Sequence, residues 1–185
     1  SIPAVWPTAD RSRPGPYLCA DFLVFEKIVY VGIGVDNEAA IHDPSVPRSA
    51  NDEYGTEILR RMLKPHGWDV KPLYFDTNYG YHLDVMVKPI ERGLIALPDG
   101  ALWHGLPDEI KDWEVIHFTT EEQAMGAANA LPIDHKKVVV QEGCTKFIKE
   151  LEKRNFDVIE LDYSTIWGMT GSGIHCSVMH LWREF

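Results

Sequence analysis

The order of sequence patterns repeats along this chain of 185 residues, and the repeat constrains the fold more than any single motif does. Two short β-rich segments, a helical segment and another β-rich segment follow one another, and the same order then occurs twice more before one closing strand. Copies spaced about 35 to 55 residues apart are typical of propellers and solenoids, in which each unit buries its apolar face against its neighbours. A helix in each copy favours an α/β fold over an all-β fold.

Strands are predicted from β-branched and apolar runs, and helices from apolar residues at helical spacing. The elements predicted for the first copy are a hairpin over 22–32, a helix over 54–63 and a strand over 68–75. Those of the second copy are strands over 82–87 and 93–97 around a turn over 88–92, a short helix over 107–112 and a strand over 113–118. Those of the third copy are strands over 130–133 and 137–140, a helix over 144–153 and a strand over 156–161. A glycine-rich loop with Gly168, Gly171 and Gly173 then leads into the closing strand, over 174–182.

Composition excludes several classes of protein. Apolar residues make up 45% of the chain and charged residues 25%, which is ordinary for a globular protein. No apolar run approaches the roughly 18 residues that a membrane span needs. The net charge of −10 argues against a nucleic-acid partner and would attract small cations. Four prolines within residues 1–16 predict an irregular N-terminal arm.

Cysteine usage favours a reducing compartment. The chain has three cysteines, Cys19, Cys144 and Cys176, with no CxxC spacing, so a disulfide framework or a zinc ribbon is not expected. The first seven residues have neither the basic segment nor the apolar run of a secretion signal. A cytoplasmic location is the resulting expectation.

The first candidate for chemistry is the segment Gly-Ser-Gly-Ile-His-Cys-Ser at 171–177. Glycines allow tight turns and close approach of a ligand, and they lead into a predicted strand with Cys176 near its start. That position suits an exposed thiolate nucleophile. A small, half-buried cysteine in a core strand is the structural alternative, because free cysteine is among the most buried residue types.

The second candidate is His82-Leu83-Asp84. Residues i and i+2 of a strand project to one face, so this interpretation directs the imidazole and the carboxylate into the same space. The pair could bind a cation and move a proton, and a pair on a solvated strand face is an equally good interpretation. Zinc held by Cys176, His180 and His175 is a third hypothesis, with no further ligand pair to complete the set.

The two motifs, set in repeated strand-strand-helix-strand units, resemble the guanidino-modifying pentein superfamily. Its members include amidinotransferases, arginine and agmatine deiminases and dimethylarginine dimethylaminohydrolases. The tail over 178–184 and the segment 137–140 with its following helix look most like the amidinotransferase branch. The resemblance covers residues 17–185 and implies a partial pentein-like α/β-propeller domain, with about three ββαβ modules and a closing strand where the superfamily has five modules.

The resemblance also implies roles for individual residues. Cys176 would be the nucleophile and His82 the general acid and base, whereas Asp84, Asp21 and Gly173 would bind substrate. Leu18 stands where the superfamily has an acidic partner for the histidine, and Asp21 is a candidate substitute partner. We interpret Asn129, in the loop before the third hairpin, as structural.

The function that the resemblance implies is transfer of an amidino group from arginine, or a similar guanidino donor, to an amine through a covalent amidino-cysteine. It implies no cofactor and no metal ion. Two alternatives are a guanidino hydrolase and a catalytically weak module that binds guanidino ligands or assembles with another chain. The shortfall in modules predicts a homo-oligomer or a complementing N-terminal segment, with no nucleic-acid or membrane partner.

Overall fold

Three successive units, each built on a hairpin and a parallel strand, make up the computed structural model, which describes residues 21–178 apart from the side chain of Ala50. The predicted arm over 1–16 lies outside the described residues, and so does the part of the predicted closing strand beyond residue 178. No helix in the described part of the chain is long and apolar enough to cross a membrane.

The first module follows the predicted order. Its elements are β1 (Phe22–Phe25), β2 (Ile28–Val35), β3 (Ser49–Ala50), α1 (Glu53–Leu63) and β4 (Asp69–Asp76). Strand β2 pairs antiparallel with β1 and parallel with β4. The helix begins where Asp52 caps it by accepting a hydrogen bond from the Gly55 backbone N–H at 2.6 Å, and aspartate is among the residue types favoured at this position.

The second module differs from its prediction. Its strands are β5 (Lys88–Glu91), β6 (Leu94–Leu97) and β7 (Glu114–His117), with β5 antiparallel and β7 parallel to β6. The predicted turn over 88–92 is therefore mostly strand, and the chain turns at Gly93, whose φ is +87°. Among the described residues β5 is an edge strand of its sheet, and edge strands are where proline is tolerated, as at Pro89.

Two further predictions for the second module are wrong. Residues 82–87 form no strand, because the Leu83 carbonyl accepts bonds from Met86 and Val87 and the backbone turns over Leu83–Val85. Residues 107–112 form no helix, because the Ile110 and Trp113 N–H groups bond three residues back, to Pro107 and Ile110, and close consecutive turns. The second copy thus lacks its helix between β6 and β7.

The third module again follows its prediction. A short helix that was not predicted, α2 (Thr120–Ala124), leads into it. Its elements are β8 (Leu131–Asp134), β9 (Lys137–Gln141), α3 (Thr145–Glu152) and β10 (Asp157–Leu161). Strand β9 pairs antiparallel with β8 and parallel with β10.

The chain after β10 corrects the prediction of a glycine-rich loop and a closing strand. Gly168 lies within a helix, α4 (Ser164–Thr170), and residues His175–Ser177 form a 3-10 turn. The backbone N–H of Cys176 donates to the side chain of Asn129 instead of to a neighbouring strand. Residues 174–177, at the start of the predicted strand, therefore form a turn, and the backbone becomes extended only at Val178.

The modules bury their apolar faces against one another. One core cluster joins the first module (Tyr30, Phe75) to the second (Ile95, Leu97). Another joins the second (Leu94, Ile116) to the third (Val140, Phe147). The described residues thus form an α/β fold of three small sheets and four α-helices. The sheets do not close on one another, and the first and third copies confirm the predicted order of elements.

Candidate active site

The predicted site residues lie in the segments that precede or follow the modules. Asp21 comes directly before β1, His82 and Asp84 come before β5, and Cys176 follows the third module. Because neighbouring modules share their cores, these segments meet although they are far apart in sequence. The structure brings Cys176, His82, Asp84 and Asp21 into one place through the contacts described below.

The Cys176 thiol lies beside a carboxylate. Its Sγ atom is 3.3 Å from Asp84 Oδ2 and can donate to it. Burial raises the pKa of the Cys176 thiol, and the negative charge of Asp84 raises it further. In the absence of a ligand, both effects favour the thiol over the thiolate. Although its sulfur is partly desolvated, Cys176 as a residue is exposed, in contrast to the buried Cys144, and it lies in a 3-10 turn, so the structural alternative of a cysteine in a core strand does not apply.

The Asp84 carboxylate has one oxygen without a protein partner. Oδ2 is near the thiol, whereas Oδ1 is buried and accepts no hydrogen bond from any residue in the described range 21–178. Only 12% of the side chain is exposed. A buried, unsatisfied carboxylate oxygen is unfavourable, and it is a fitting acceptor for a cationic N–H donor.

His82 pairs with Asp21. The distance from His82 Nδ1 to Asp21 Oδ2 is 3.0 Å, and Asp21 Oδ1 accepts the Leu83 backbone N–H at 2.9 Å. Asp21 is fully buried. The hydrogen bond to Asp21 raises the pKa of His82, and the charges of Asp21 and Asp84 act in the same direction. Asp21 thus takes the position of acidic partner, while Leu18 lies outside the described residues.

The strand argument for His82 and Asp84 rested on a wrong local structure. His82 has an extended backbone, but it precedes a 3-10 turn that contains Asp84. Leu83, between them, is buried in the core, and its N–H is held by Asp21. The side chains of His82 and Asp84 therefore reach the site through this turn and not through the alternation of side chains along a strand.

Asn129 contacts the sulfur, although the sequence indicated only a structural role. Its Nδ2 atom donates to Cys176 Sγ at 3.1 Å, and its Oδ1 atom accepts the Cys176 backbone N–H at 3.1 Å. Asn129 comes two residues before β8, the first strand of the third module. Asp21 and His82–Asp84 likewise lie just before the first strands of the first and second modules. The module repeat was the signal that could have identified it.

Gly173 is required by its contact with Asn129. A Cβ atom on Gly173 would lie 2.5 Å from Asn129 Oδ1, which is closer than any side chain can tolerate. The Gly173 carbonyl also accepts the Ser177 hydroxyl at 3.0 Å. Both contacts are within the protein, and the predicted role of Gly173 in substrate binding remains a prediction.

The site offers no set of metal ligands within the described range. No group of three or more His, Cys, Asp or Glu side chains in residues 21–178 is arranged to hold a metal ion. His175 Nδ1 lies 3.6 Å from Asp84 Oδ2, and His180, which the zinc hypothesis needs, lies outside the described residues.

A cavity of about 680 Å³ opens beside His82. Its lining includes Asp36, Arg48, Ser49 and Tyr81. The Arg48 guanidinium is held by the backbone carbonyls of Ala40 and Ile41, at 2.5 and 3.2 Å, so part of its donor capacity is already used. The cavity has about 20 times the volume of a water molecule in the liquid, and it has room for an organic molecule that reaches the imidazole.

Comparison with known proteins identifies the fold. No protein-family model matches the sequence, and no curated protein matches it. Among solved structures, an amidinotransferase of the saxitoxin biosynthetic pathway from Microseira wollei is 17% identical, with a TM-score of 0.71 over 90% of this chain and 47% of that one. Inosamine-phosphate amidinotransferase from Streptomyces griseus is 20% identical, with a TM-score of 0.64 over 85% and 44%. Dimethylarginine dimethylaminohydrolase from Pseudomonas aeruginosa is 18% identical, with a TM-score of 0.62 over 83% and 51%.

The chain spans about half the length of these proteins. All three are guanidino-modifying enzymes of the pentein superfamily. The resemblance noted from the motifs is therefore confirmed at the level of the fold. At these identities the likeness extends to the fold alone. The similar structures include both transferases and hydrolases.

Proposed function

We propose that this chain, which has the fold of the guanidino-modifying pentein superfamily, acts as an amidinotransferase-type enzyme. It would move an amidino group from arginine or a similar guanidino donor to an amine through a covalent amidino-cysteine. The observation that carries the proposal is the Cys176 thiol 3.3 Å from Asp84, whose other carboxylate oxygen is buried and has no partner among the described residues.

Asp84 is the proposed anchor for the guanidinium. A guanidinium is planar and presents N–H donors in a fixed fork, which matches a carboxylate through charge-assisted hydrogen bonds. The unpaired Oδ1 atom supplies an acceptor that the protein leaves unused. A guanidinium held there has its central carbon close to Cys176 Sγ, and the net charge of −10 favours the approach of a cation.

Substrate binding would activate the nucleophile. Without a ligand, burial and the charge of Asp84 hold the pKa of Cys176 above its usual range. A bound guanidinium neutralises Asp84 and places positive charge beside the sulfur, so it lowers the thiol pKa and the proton leaves to solvent. The thiolate then forms only when the central carbon of the guanidinium already lies beside it.

The first half-reaction would transfer the amidino group to sulfur. The thiolate attacks the central carbon, a C–S bond forms, and the C=N π electrons move to nitrogen. Protonated His82 gives its proton to the departing amine as the C–N bond breaks. The product is an amidino-cysteine and a neutral His82, whose Nδ1 side remains bonded to Asp21.

The second half-reaction would use His82 as a base. It removes a proton from the acceptor amine, which attacks the amidino carbon, and the C–S bond breaks to restore the thiolate and protonated His82. The cavity of about 680 Å³ is lined by His82 but by neither Cys176 nor Asp84, and it supports an amine acceptor that approaches from the His82 side.

Two alternatives keep specific support. A guanidino hydrolase would use the same side chains with water in place of the amine, and the similarity to dimethylarginine dimethylaminohydrolase is consistent with this chemistry. A catalytically weak module that associates with another chain is supported by the span of about half the relatives' length. The apolar side chains of Ile159 and Leu161 are 41% and 42% exposed on β10, which is an edge strand among the described residues, and they also support association.

The test is the intact mass of the protein after it is mixed with arginine and quenched in acid. We expect a mass increase of one amidino group in the wild-type protein and none in Cys176→Ala, a small-for-small change that leaves the fold intact. Adding a panel of amines should discharge the adduct and yield guanidino products, whereas discharge by water alone would indicate a hydrolase. The absence of any adduct in the wild-type protein would contradict the covalent mechanism.

A further inference from the structure

We propose that Asn129 is the fixed hydrogen-bond donor that stabilises the Cys176 thiolate. The inference rests on the proposed function only in taking Cys176 as the nucleophile. Its geometric basis is a clamp, in which one amide side chain holds both the sulfur and the backbone of the same residue. Asn129 Nδ2 lies 3.1 Å from Sγ, and Asn129 Oδ1 lies 3.1 Å from the Cys176 backbone nitrogen.

The clamp fixes which way the amide faces. The Cys176 backbone N–H is a donor only, so the atom that accepts it must be the carbonyl oxygen of Asn129. The NH2 group is then directed at the sulfur, and it also lies 3.5 Å from the Asp84 carbonyl. The orientation of the amide therefore follows from the backbone contact, and it places a donor on the sulfur.

The surroundings hold Asn129 in place. It is 1% exposed and follows two fully buried alanines, Ala127 and Ala128, which belong to the core cluster between the second and third modules. On the other side, Asn129 packs so closely against Gly173 that a Cβ atom on residue 173 would clash with it. A donor that is already oriented needs no reorganisation when charge develops on the sulfur.

Asn129 and Asp84 act on the sulfur in opposite directions. Asp84 Oδ2 accepts the thiol proton and its charge disfavours the thiolate, whereas the Asn129 NH2 group favours the thiolate. The other titratable groups nearby are His175, 3.6 Å from the same carboxylate, and His82, whose pKa responds to it. When a guanidinium occupies Asp84, the Asn129 NH2 group remains as the side-chain donor to the sulfur, and the hydrogen bond from the Gly173 backbone acts on the thiol pKa in the same direction.

The experiment measures the rate of alkylation of Cys176 by iodoacetamide as a function of pH, without any guanidino compound. Cys19 is replaced by serine, and the modified residue is identified by peptide mass. A hydrogen bond to a charged group contributes about 1.5 to 3 kcal/mol, so Asn129→Ala should lower the thiolate population about 10- to 100-fold at a given pH below the thiol pKa. Asn51→Ala, which removes another fully buried amide, is the matched control and should leave the thiol pKa unchanged.

An unchanged pH profile in folded Asn129→Ala, checked by circular dichroism, would overturn the proposal. If the alanine variant does not fold, Asn129→Ser is measured in the same way, because its hydroxyl is too short to keep the contact with the sulfur, and an unchanged profile again contradicts the role. The measurement needs no substrate. Failure to form an adduct with arginine would therefore count against the proposed function alone, and an unchanged thiol pKa against Asn129 alone.

Discussion

Asp21 is the residue on which the orientation of His82 depends. It is fully buried, and a buried carboxylate is stable only when hydrogen bonds replace its hydration. Asp21 obtains two of them, from the His82 ring and from the Leu83 backbone N–H. Since these partners are adjacent in sequence, one carboxylate orients the imidazole and also holds the turn that carries Asp84.

Replacing Asp21 by asparagine should lower the pKa of His82 toward its ordinary value, because the amide keeps the shape but removes the charge. His82 has a pKa in the folded protein above its value in the unfolded chain. The stabilisation from the pair is therefore complete below the unfolded value and is lost as the pH rises through the raised folded value. NMR titration of the histidine ring protons measures the His82 pKa, and the control is Asp99→Asn, an exposed residue that does not line the cavity beside His82. A His82 pKa that is the same in Asp21→Asn and in the wild-type protein would contradict the assigned pairing.

At the scale of elements, Glu122 joins two helices. In α2 it completes a capping box with Thr119, accepting that residue's backbone N–H at 3.1 Å. Its other oxygen accepts the N–H groups of Lys146 and Phe147, at 2.7 and 3.0 Å, in the first turn of α3. Cys144 stands at the N-cap of α3 and supplies no side-chain hydrogen bond. Glu122 thus provides from a neighbouring helix the cap that α3 lacks.

Glu122→Ala should lower the free energy of unfolding by about 2 kcal/mol, because it leaves helix N–H groups without acceptors in a buried position. Urea denaturation followed by circular dichroism gives the value. The adjacent, exposed Glu121→Ala removes the same side chain without touching α3, and it should change stability much less. Equal effects of the two substitutions would show that α3 does not depend on this cap.

The elements predicted correctly are those whose sequence pattern agrees with the local preference of the backbone for strand, helix or turn. The hairpin over β1 and β2, helix α1 and the run from β8 to β10 have β-branched or helical spacing and clear turn signals. The prediction failed over 82–92, where the sequence pattern suits a strand but a hydrogen bond to a distant carboxylate accompanies a backbone turn. Asp21 captures the Leu83 N–H from a position 62 residues away, and no local propensity reports such a contact.

At the scale of the whole molecule, the modules form one folding unit because their cores are shared. Phe147 of α3 is fully buried, and its ring lies 5.7 Å from that of Phe118, just after β7 of the second module. A cluster that spans two modules loses contacts in both when one of them opens. The described residues are therefore expected to unfold cooperatively.

Phe147→Ala should reduce the free energy of unfolding by about 3 to 5 kcal/mol, because a large cavity forms in a shared core. The urea unfolding transition should move to lower urea concentration whether it is followed by tryptophan fluorescence or by far-ultraviolet circular dichroism. The fluorescence signal includes Trp68 and Trp113, in the first two modules. The control is Phe147→Leu, which preserves more of the volume and should cost less. A fluorescence transition that does not move while circular dichroism does would indicate that the modules unfold independently.

The sequence by itself determined the residue types that can do chemistry and the order of the modules that carry them. Cys176, His82 and Asp84 were identified from their motifs, and the α/β class from the repeating order of elements. Only the tertiary structure decided that Asp21 pairs with His82, 61 residues away, and that Asn129 lies on the sulfur of Cys176, 47 residues away. These contacts join different modules. The modules are placed by the apolar surface that they bury together, which depends on the whole fold, whereas sequence patterns report only local preferences of the backbone.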